Sequence, residues 1–195
     1  MEHVLDVYEH EYDEKRPVLC FDERPCQLIG DVVVPLAIKQ GQAKREDYHY
    51  QRNGTCVVLL AVEPLTGKRI VDVREQKTKK DYAAFMKRVA QEYEQAEKIV
   101  LIQDNLNTHN PSSFYEVFEA PEAFGLSERF EMVYTPKKAS WLNMAEIEFS
   151  ALSKQCLDRR IADMRILAKK VTIHWQFTKN KARNKFQRFY ERIRN

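Results

Sequence analysis

The chain has 195 residues, 44% of them hydrophobic and 31% charged, with a formal net charge of +3; this is ordinary globular composition, enough to bury one core, and it points to a single domain over residues 1–195. No run approaches the roughly 20 apolar residues that cross a bilayer, and the opening MEHVLDVYEHEYDEKR lacks the basic start and apolar run of a leader, so a cytoplasmic protein with no membrane partner is expected. Cys20, Cys26, Cys56 and Cys156 are too scattered for a zinc site or a small disulfide scaffold and read as buried free thiols.

In chain order, an acidic helical lead-in over Val4 to Tyr12 ends before Pro17, and VLCF follows as a strand that delivers Asp22 at its C-terminal end. Residues 26–54 read as irregular, with a polar stretch from Lys39 to Tyr50 and a turn at Asn53-Gly54-Thr55 leading into the apolar run CVVLLAVEP. Thr66-Gly67 separates that run from RIVDVREQ, the pattern of a hairpin. An amphipathic helix is predicted from about Thr78 to Ala96, with Tyr82, Phe85, Met86, Val89 and Tyr93 at helical spacing and Thr78 facing Asp81 as a capping pair. KIVLIQD is a short, continuously apolar strand of the kind buried at the centre of a sheet. Pro111 to Phe118 predicts a short helix and FEMVYTP a strand. Asn143 to Arg159 predicts a helix with Leu142, Ala145, Phe149, Leu152 and Cys156 on one side, and residues 181–194 a basic helix. A meander followed by strands alternating with helices gives an α/β fold: a mixed sheet flanked by helices in the ribonuclease H-like layout.

Charge is unevenly placed along this order. Residues 1–25 carry eight acids and three bases, a balance of −5, whereas residues 179–195 carry seven bases and Glu191, a balance of +6. The basic end, with Arg183, Lys185 and Arg188 on the predicted helix, favours an anionic partner; a solvated helix face is the plain alternative.

Three acids stand in three different settings: Asp22 and Asp104 after apolar strands, and Glu146 at the start of a helix. Ligands of open α/β sheets bind at the C-terminal ends of strands, and if these two strands are adjacent and parallel their carboxylates lie about 5 Å apart. Charges that close repel unless a cation or a shared proton intervenes. A divalent metal with hard oxygen ligands is the simplest cation, and such a trio is the pattern of metal-dependent phosphodiester chemistry. Taken singly, an Asp after a strand is an ordinary turn or cap residue. Glu146 also has a structural explanation, because Asn143-x-x-Glu146 spells a capping box. Glu148 points some 200° away round the helix, at about 100° per residue, and spacing alone does not choose between the two glutamates.

Asn105, Asn107 and His109 crowd behind Asp104. There the amides can orient a water or contact a phosphate oxygen, and His109 can transfer a proton or bind a phosphate; a locally hydrogen-bonded polar loop is the alternative. Lys137 and Lys138, just before the Glu146 helix, are candidate phosphate contacts. Trp141 reads as a packing anchor in preference to a base-stacking platform, and Arg24 is left between pairing with Glu23 and steering DNA.

The strings VLCFDERP, DYHYQRNGT, VLIQDNLNTH, YTPKKASWLNMAEIEFSALSKQCLDRRI and IHWQFT resemble the catalytic domain of bacterial insertion-sequence transposases of the mariner superfamily, over nearly the whole chain. LNMAEIEF corresponds to the segment that bears the third catalytic acid of that family, and Asp-Asn-x-x-x-His to the second. The resemblance implies a DDE-type endonuclease with Asp22, Asp104 and Glu146 as its catalytic triad and metal ligands, and it leaves Glu148 without a catalytic role. It also implies two Mg²⁺ or Mn²⁺ ions bridged by Asp22, and cut-and-paste transposition in which element ends are cleaved and joined to target DNA by a homodimer in a synaptic complex. With DNA as the anionic partner, the candidate contacts are Asn105, His109, Lys137, Lys138, Arg183, Lys185 and Arg188. Two departures accompany the resemblance: no helix-turn-helix reader of terminal repeats is expected in these residues, and the segment between CLDRRI and VTIHWQFT is shorter than the family's. They motivate a second expectation, a catalytically weak remnant that binds DNA or inhibits an intact transposase. A ribonuclease H-like nuclease of repair or RNA processing is a third, and LNMAEIEF argues against it.

Overall fold

The computed structural model describes residues 2–33, 48–157 and 159–170. The predicted basic helix with Arg183, Lys185 and Arg188 lies outside these residues, as does most of the polar stretch from Lys39 to Tyr50. The apolar runs form five strands, β1 (Val18–Asp31), β2 (Tyr50–Val62), β3 (Arg69–Arg74), β4 (Ile99–Gln103) and β5 (Phe130–Tyr134). They lie in one sheet in the order β3-β2-β1-β4-β5. The first three make an antiparallel meander, and β4 and β5 continue the sheet in parallel with β1. The helices are α1 (Glu2–Glu9), α2 (Lys79–Glu92), α3 (Ser112–Tyr115), α4 (Ala120–Arg129), α5 (Met144–Leu152) and α6 (Met164–Lys170). None among the described residues is long and apolar enough to cross a membrane. Cys20 and Cys56 are buried free thiols, as expected, whereas Cys26 is half-buried.

Period-two alternation along β1 decides which helices meet which face. Leu19 and Phe21, with Leu59 and Leu101, pack against Phe85, Met86 and Val89 of α2 and Leu126 of α4. Cys20, with Val100 and Ile102, packs against Val4 and Val7 of α1 and Ala145 of α5. Farther along the same face, Leu28, Val58 and Leu60 meet Phe149, Leu152 and Leu167. The sheet is therefore a layer between two sets of helices, and α5 lies over the face that Cys20 shares with the even-numbered residues of β1.

Two helices are held at their starts by side chains. Thr78 and Asp81 cap α2 reciprocally, each side chain accepting the other's backbone amide, as the sequence predicts. α5 is tied to the sheet by a buried ion pair between Glu148 and Arg69 of β3 at 2.6 Å, with side-chain exposures of 11% and 9%.

Three sequence expectations are corrected. Residues 26–31 and 50–54 are not irregular, because β1 and β2 pair from Cys20↔Val62 to Asp31↔Tyr50, with one irregularity between Gln27 and Ile29. Pro25 is tolerated inside β1 because β4 pairs only as far as Cys20, leaving one side of the strand without a strand partner among the described residues. Farther out, that side is covered by the chain before α6: the Ile29 amide donates to the Ile161 carbonyl at 2.8 Å. Asp22 thus sits within β1 instead of ending it. α4 is absent from the sequence pattern because Gly125 interrupts it and only Ala123 and Leu126 are buried. The helix expected to reach Arg159 stops at Leu152 and gives way to a π turn over Ser153–Leu157.

Removing one partner of a buried ion pair takes away the compensation of the other's charge. Glu148→Gln is expected to cost about 3 kcal/mol, whereas Glu148→Leu combined with Arg69→Met is expected to lie within about 1 kcal/mol of the parent; urea denaturation of the three proteins checks this.

Candidate active site

β1 and β4 are adjacent and parallel, in register from Val18↔Val100 to Cys20↔Ile102. Two residues on, that register sets Asp22 level with Asp104, the first residue past β4. Asp22 belongs by alternation to the face of Cys20 and Ile102, on which the start of α5 packs, while Asp104, past the strand end, reaches the ring of His109. Asn143 anchors that start: its carboxamide donates to the Phe21 carbonyl at 2.7 Å and accepts the Ala145 amide at 3.2 Å. The helix cap is thereby fastened to the residue before Asp22. Glu146 lies exposed in the first turn of α5. With Glu148 committed to Arg69, the acid of α5 whose charge raises Asp22 is Glu146.

Asp22 feels the charges of the other two carboxylates. Burial is the largest cause that pushes Asp22 up, to about 6, and the charges of Glu146, Asp104 and Glu23 add to it against the Glu23 amide, which donates to Asp22 Oδ1 at 2.8 Å. Burial opposes ionisation of Asp104 too, but there the hydrogen bond and charge of His109 outweigh it, helped by the Leu106 amide and Lys77, so that carboxyl is held below its ordinary range.

Behind the acids stands a group that the sequence reading did not assemble. Alternation turns Glu23 to the opposite face from Asp22, the face of Phe21. There the His109 ring has Nδ1 2.5 Å from Asp104 Oδ1 and Nε2 2.7 Å from Glu23 Oε2, and Lys77 Nζ lies 3.3 Å from Glu23 Oε1. Burial alone would lower the ring's pKa, but the two carboxylates raise it to about 9. This corrects the expectation that His109 binds a phosphate, because the residue is 1% exposed and both ring nitrogens are engaged. The only sequence cue to Glu23 is its place beside Asp22, on the other face of the same strand.

The remaining candidates fall around this centre. Asn105 and Asn107 are exposed on the loop after β4, and Lys137 and Lys138 on the loop between β5 and α5. Arg24 turns to the C-terminal end of α5, donating to the Phe149 carbonyl at 3.4 Å and to Ser153 Oγ, which satisfies end carbonyls of the helix. Trp141, expected as a packing anchor, is 49% exposed. Among the described residues no three His, Cys, Asp or Glu side chains are gathered tightly enough to hold an ion as they stand. The donor set nonetheless suits a hard divalent cation: three carboxylates from three elements, with uncompensated charge that raises Asp22.

A profile of the DDE superfamily endonuclease domain matches residues 17–168. The chain belongs to the DDE superfamily of endonucleases. No curated protein sequence matches it. Among solved structures, this DDE domain is similar to the Mos1 transposase in its paired-end complex with the left transposon end, with a TM-score of 0.61 at 10% identity over 97% of this chain and 57% of that one. It is similar to the Mos1 strand transfer complex, with a TM-score of 0.60 at 10% identity over 97% and 57%. A simian T-cell lymphotropic virus intasome in complex with the PP2A regulatory subunit B56 gamma follows, with a TM-score of 0.55 at 10% identity over 89% and 56%. At these identities the likeness is one of fold, and it bears out the ribonuclease H-like mixed sheet. The DDE domain spans 57% of the Mos1 chain.

The raised Asp22 carboxyl has a stability consequence. The folded chain holds this proton more tightly than the unfolded one, so the contribution is full below about pH 4 and is lost as pH rises through about 6. Asp22→Asn keeps the hydrogen-bond acceptor and removes the charge. It is expected to stabilise the metal-free domain at pH 7 by on the order of 1–2 kcal/mol, read as a higher Tm in buffer containing a chelator, with the gap to the parent closing below pH 4.

Proposed function

We propose that this DDE domain is the catalytic domain of a mariner-type transposase of a bacterial insertion sequence, cleaving phosphodiester bonds at the element's ends and joining those ends to target DNA. The observation that carries the reading is the convergence of Asp22, Asp104 and Glu146 from β1, the end of β4 and the first turn of α5, close enough for two of the charges to raise the third. The three fit Mg²⁺ or Mn²⁺ by donor chemistry, and two ions are the expectation for this reaction. Bound there, the metal supplies Lewis acidity for a water or 3′-hydroxyl nucleophile and for the leaving oxygen.

The chain's own residues supply placement. Asp22 is fixed inside a hydrogen-bonded strand, Asp104 is held by His109, and Glu146 rides on a helix fastened by Asn143 and by the Arg69–Glu148 pair. Removing something like 20 kcal/mol from a phosphodiester barrier demands donors placed this firmly. Lys137, Lys138 and Asn105, exposed on the loops flanking the acids, contact the DNA backbone in this reading, and Arg183, Lys185 and Arg188 of the basic C-terminal sequence are further DNA contacts. The protein acts on nucleoid DNA in the bacterial cytoplasm, as a homodimer that pairs two element ends.

The test is nicking of supercoiled plasmid with Mn²⁺ or Mg²⁺. Asp104→Asn is expected to nick at least about 10³-fold more slowly than the parent while binding DNA equally well. DNA binding without nicking by the parent would instead support the weak DNA-binding or transposase-inhibiting remnant. Lys137→Ala and Lys138→Ala are each expected to lower the slope of log affinity against log salt by about 1, measured by fluorescence anisotropy of a labelled duplex.

A further inference from the structure

Every hydrogen-bonding group of His109 is taken. The ring is stacked on Tyr82, 5.1 Å between centroids, and meets Phe21 edge-on at 5.1 Å. Its carbonyl accepts Gln103 Nε2 and the Tyr134 hydroxyl, each at 3.0 Å, and Gln103 in turn accepts the Tyr82 hydroxyl at 2.9 Å. Each of its nitrogens faces a carboxylate oxygen, Nδ1 that of Asp104 and Nε2 that of Glu23. With both engaged and at 1% exposure, the ring has no open edge for a substrate. Transfer of a proton to or from DNA is therefore the wrong role for it.

We propose that His109 and Glu23 are positioning residues for Asp104: Glu23 orients the His109 ring, and the ring holds Asp104 Oδ1. This inference rests on the reading of Asp104 as a metal ligand. Asp104 stands one residue past β4 at the start of a polar loop, with a side chain that is 39% exposed. A carboxylate there is free to follow the loop unless something grips it. His109 grips it from five residues farther on, and Glu23, anchored inside β1 next to Asp22, carries the position of the central strand through the ring to the end of the neighbouring one. Asp22 and Asp104 are thus linked twice, through the sheet register and through the chain Glu23–His109–Asp104.

The arrangement parallels the general rule that a buried acceptor fixes the ring that fixes a ligand, and loss of such an outer partner costs about 10–100-fold in metal affinity or activity. The experiment titrates DNA-free protein with Mn²⁺ alone, following free Mn²⁺ by electron paramagnetic resonance, and in parallel measures kcat and KM for plasmid nicking; far-UV circular dichroism and Tm report folding. His109→Gln is expected to weaken Mn²⁺ binding about tenfold or more and to lower kcat while KM for DNA stays within about twofold. Glu23→Leu, which removes the acceptor, is expected to do the same. Glu23→Gln, which keeps an acceptor for Nε2–H, is expected to stay within about threefold of the parent. The His109→Gln/Glu23→Leu double variant is expected to lose clearly less than the sum of the two single losses, because Glu23 reaches Asp104 through the ring.

Folded variants with parental Mn²⁺ affinity overturn the proposal, as do additive losses in the double variant. If His109→Gln does not fold, the contrast between Glu23→Leu and Glu23→Gln decides: equal affinities overturn it. A parent that binds no Mn²⁺ removes the metal-ligand reading itself, a different outcome from a parent that binds while the variants bind equally.

Discussion

Mutual repulsion among carboxylates is the constraint around which this molecule is arranged. Asp22, Asp104 and Glu146 meet at one end of the sheet, and Asp22, raised to about 6 first by burial and then by the charges of its neighbours, carries the cost. Nothing in the apolar core favours that grouping. It is enforced from outside by fixed elements: a parallel register that sets the two aspartates level, an asparagine that fastens α5 to β1, and a buried arginine that occupies the other glutamate of the helix. A divalent cation held among them would relieve that repulsion, so the grouping that weakens the metal-free fold would favour the metal-bound one.

The sheet also sorts charge by face. Consecutive acids in β1 would compound the repulsion if they lay together, but the pleat sends Asp22 toward α5 and Glu23 toward α2 and the buried histidine. One strand thus delivers a carboxylate that stays accessible and another that is neutralised by His109 and Lys77. The two faces do different work, and a one-residue slip of β1 would exchange their roles.

Much of this was legible in the residues. Continuous apolar runs named β4 and the hairpin of β2 and β3, the Thr78–Asp81 pair named the start of α2, and the settings of the three acids named the centre. What escaped did so for physical reasons. Pro25, Gly30 and Gly54 mask the outer halves of β1 and β2, because strand propensity does not register that one side of β1 lacks a strand partner there. α4 buries too few residues to show a period. The capping box that Asn143 and Glu146 spell is forestalled nearby, because the Asn143 backbone amide donates to the Ser140 carbonyl at 2.7 Å, whereas the phosphate role expected for His109 is a sound local reading overridden by a partner far away in sequence, Glu23. Arg24 likewise takes its partners from the end of α5, 125 residues on. Local pattern gives the elements; the contacts that make a site are the long-range ones.

The chain before α6 has a second importance. By accepting the Ile29 amide at Ile161 and the Asn53 side chain at Ala162, and by setting Arg160 against Asp31, it lies along the outer stretch of β1 that no neighbouring strand covers. A bare strand margin is a template on which other chains can add, the first step of β-type aggregation. This short passage therefore works as a selvedge: it finishes the margin of the sheet and keeps a protein rich in exposed charge from joining copies of itself along its longest strand.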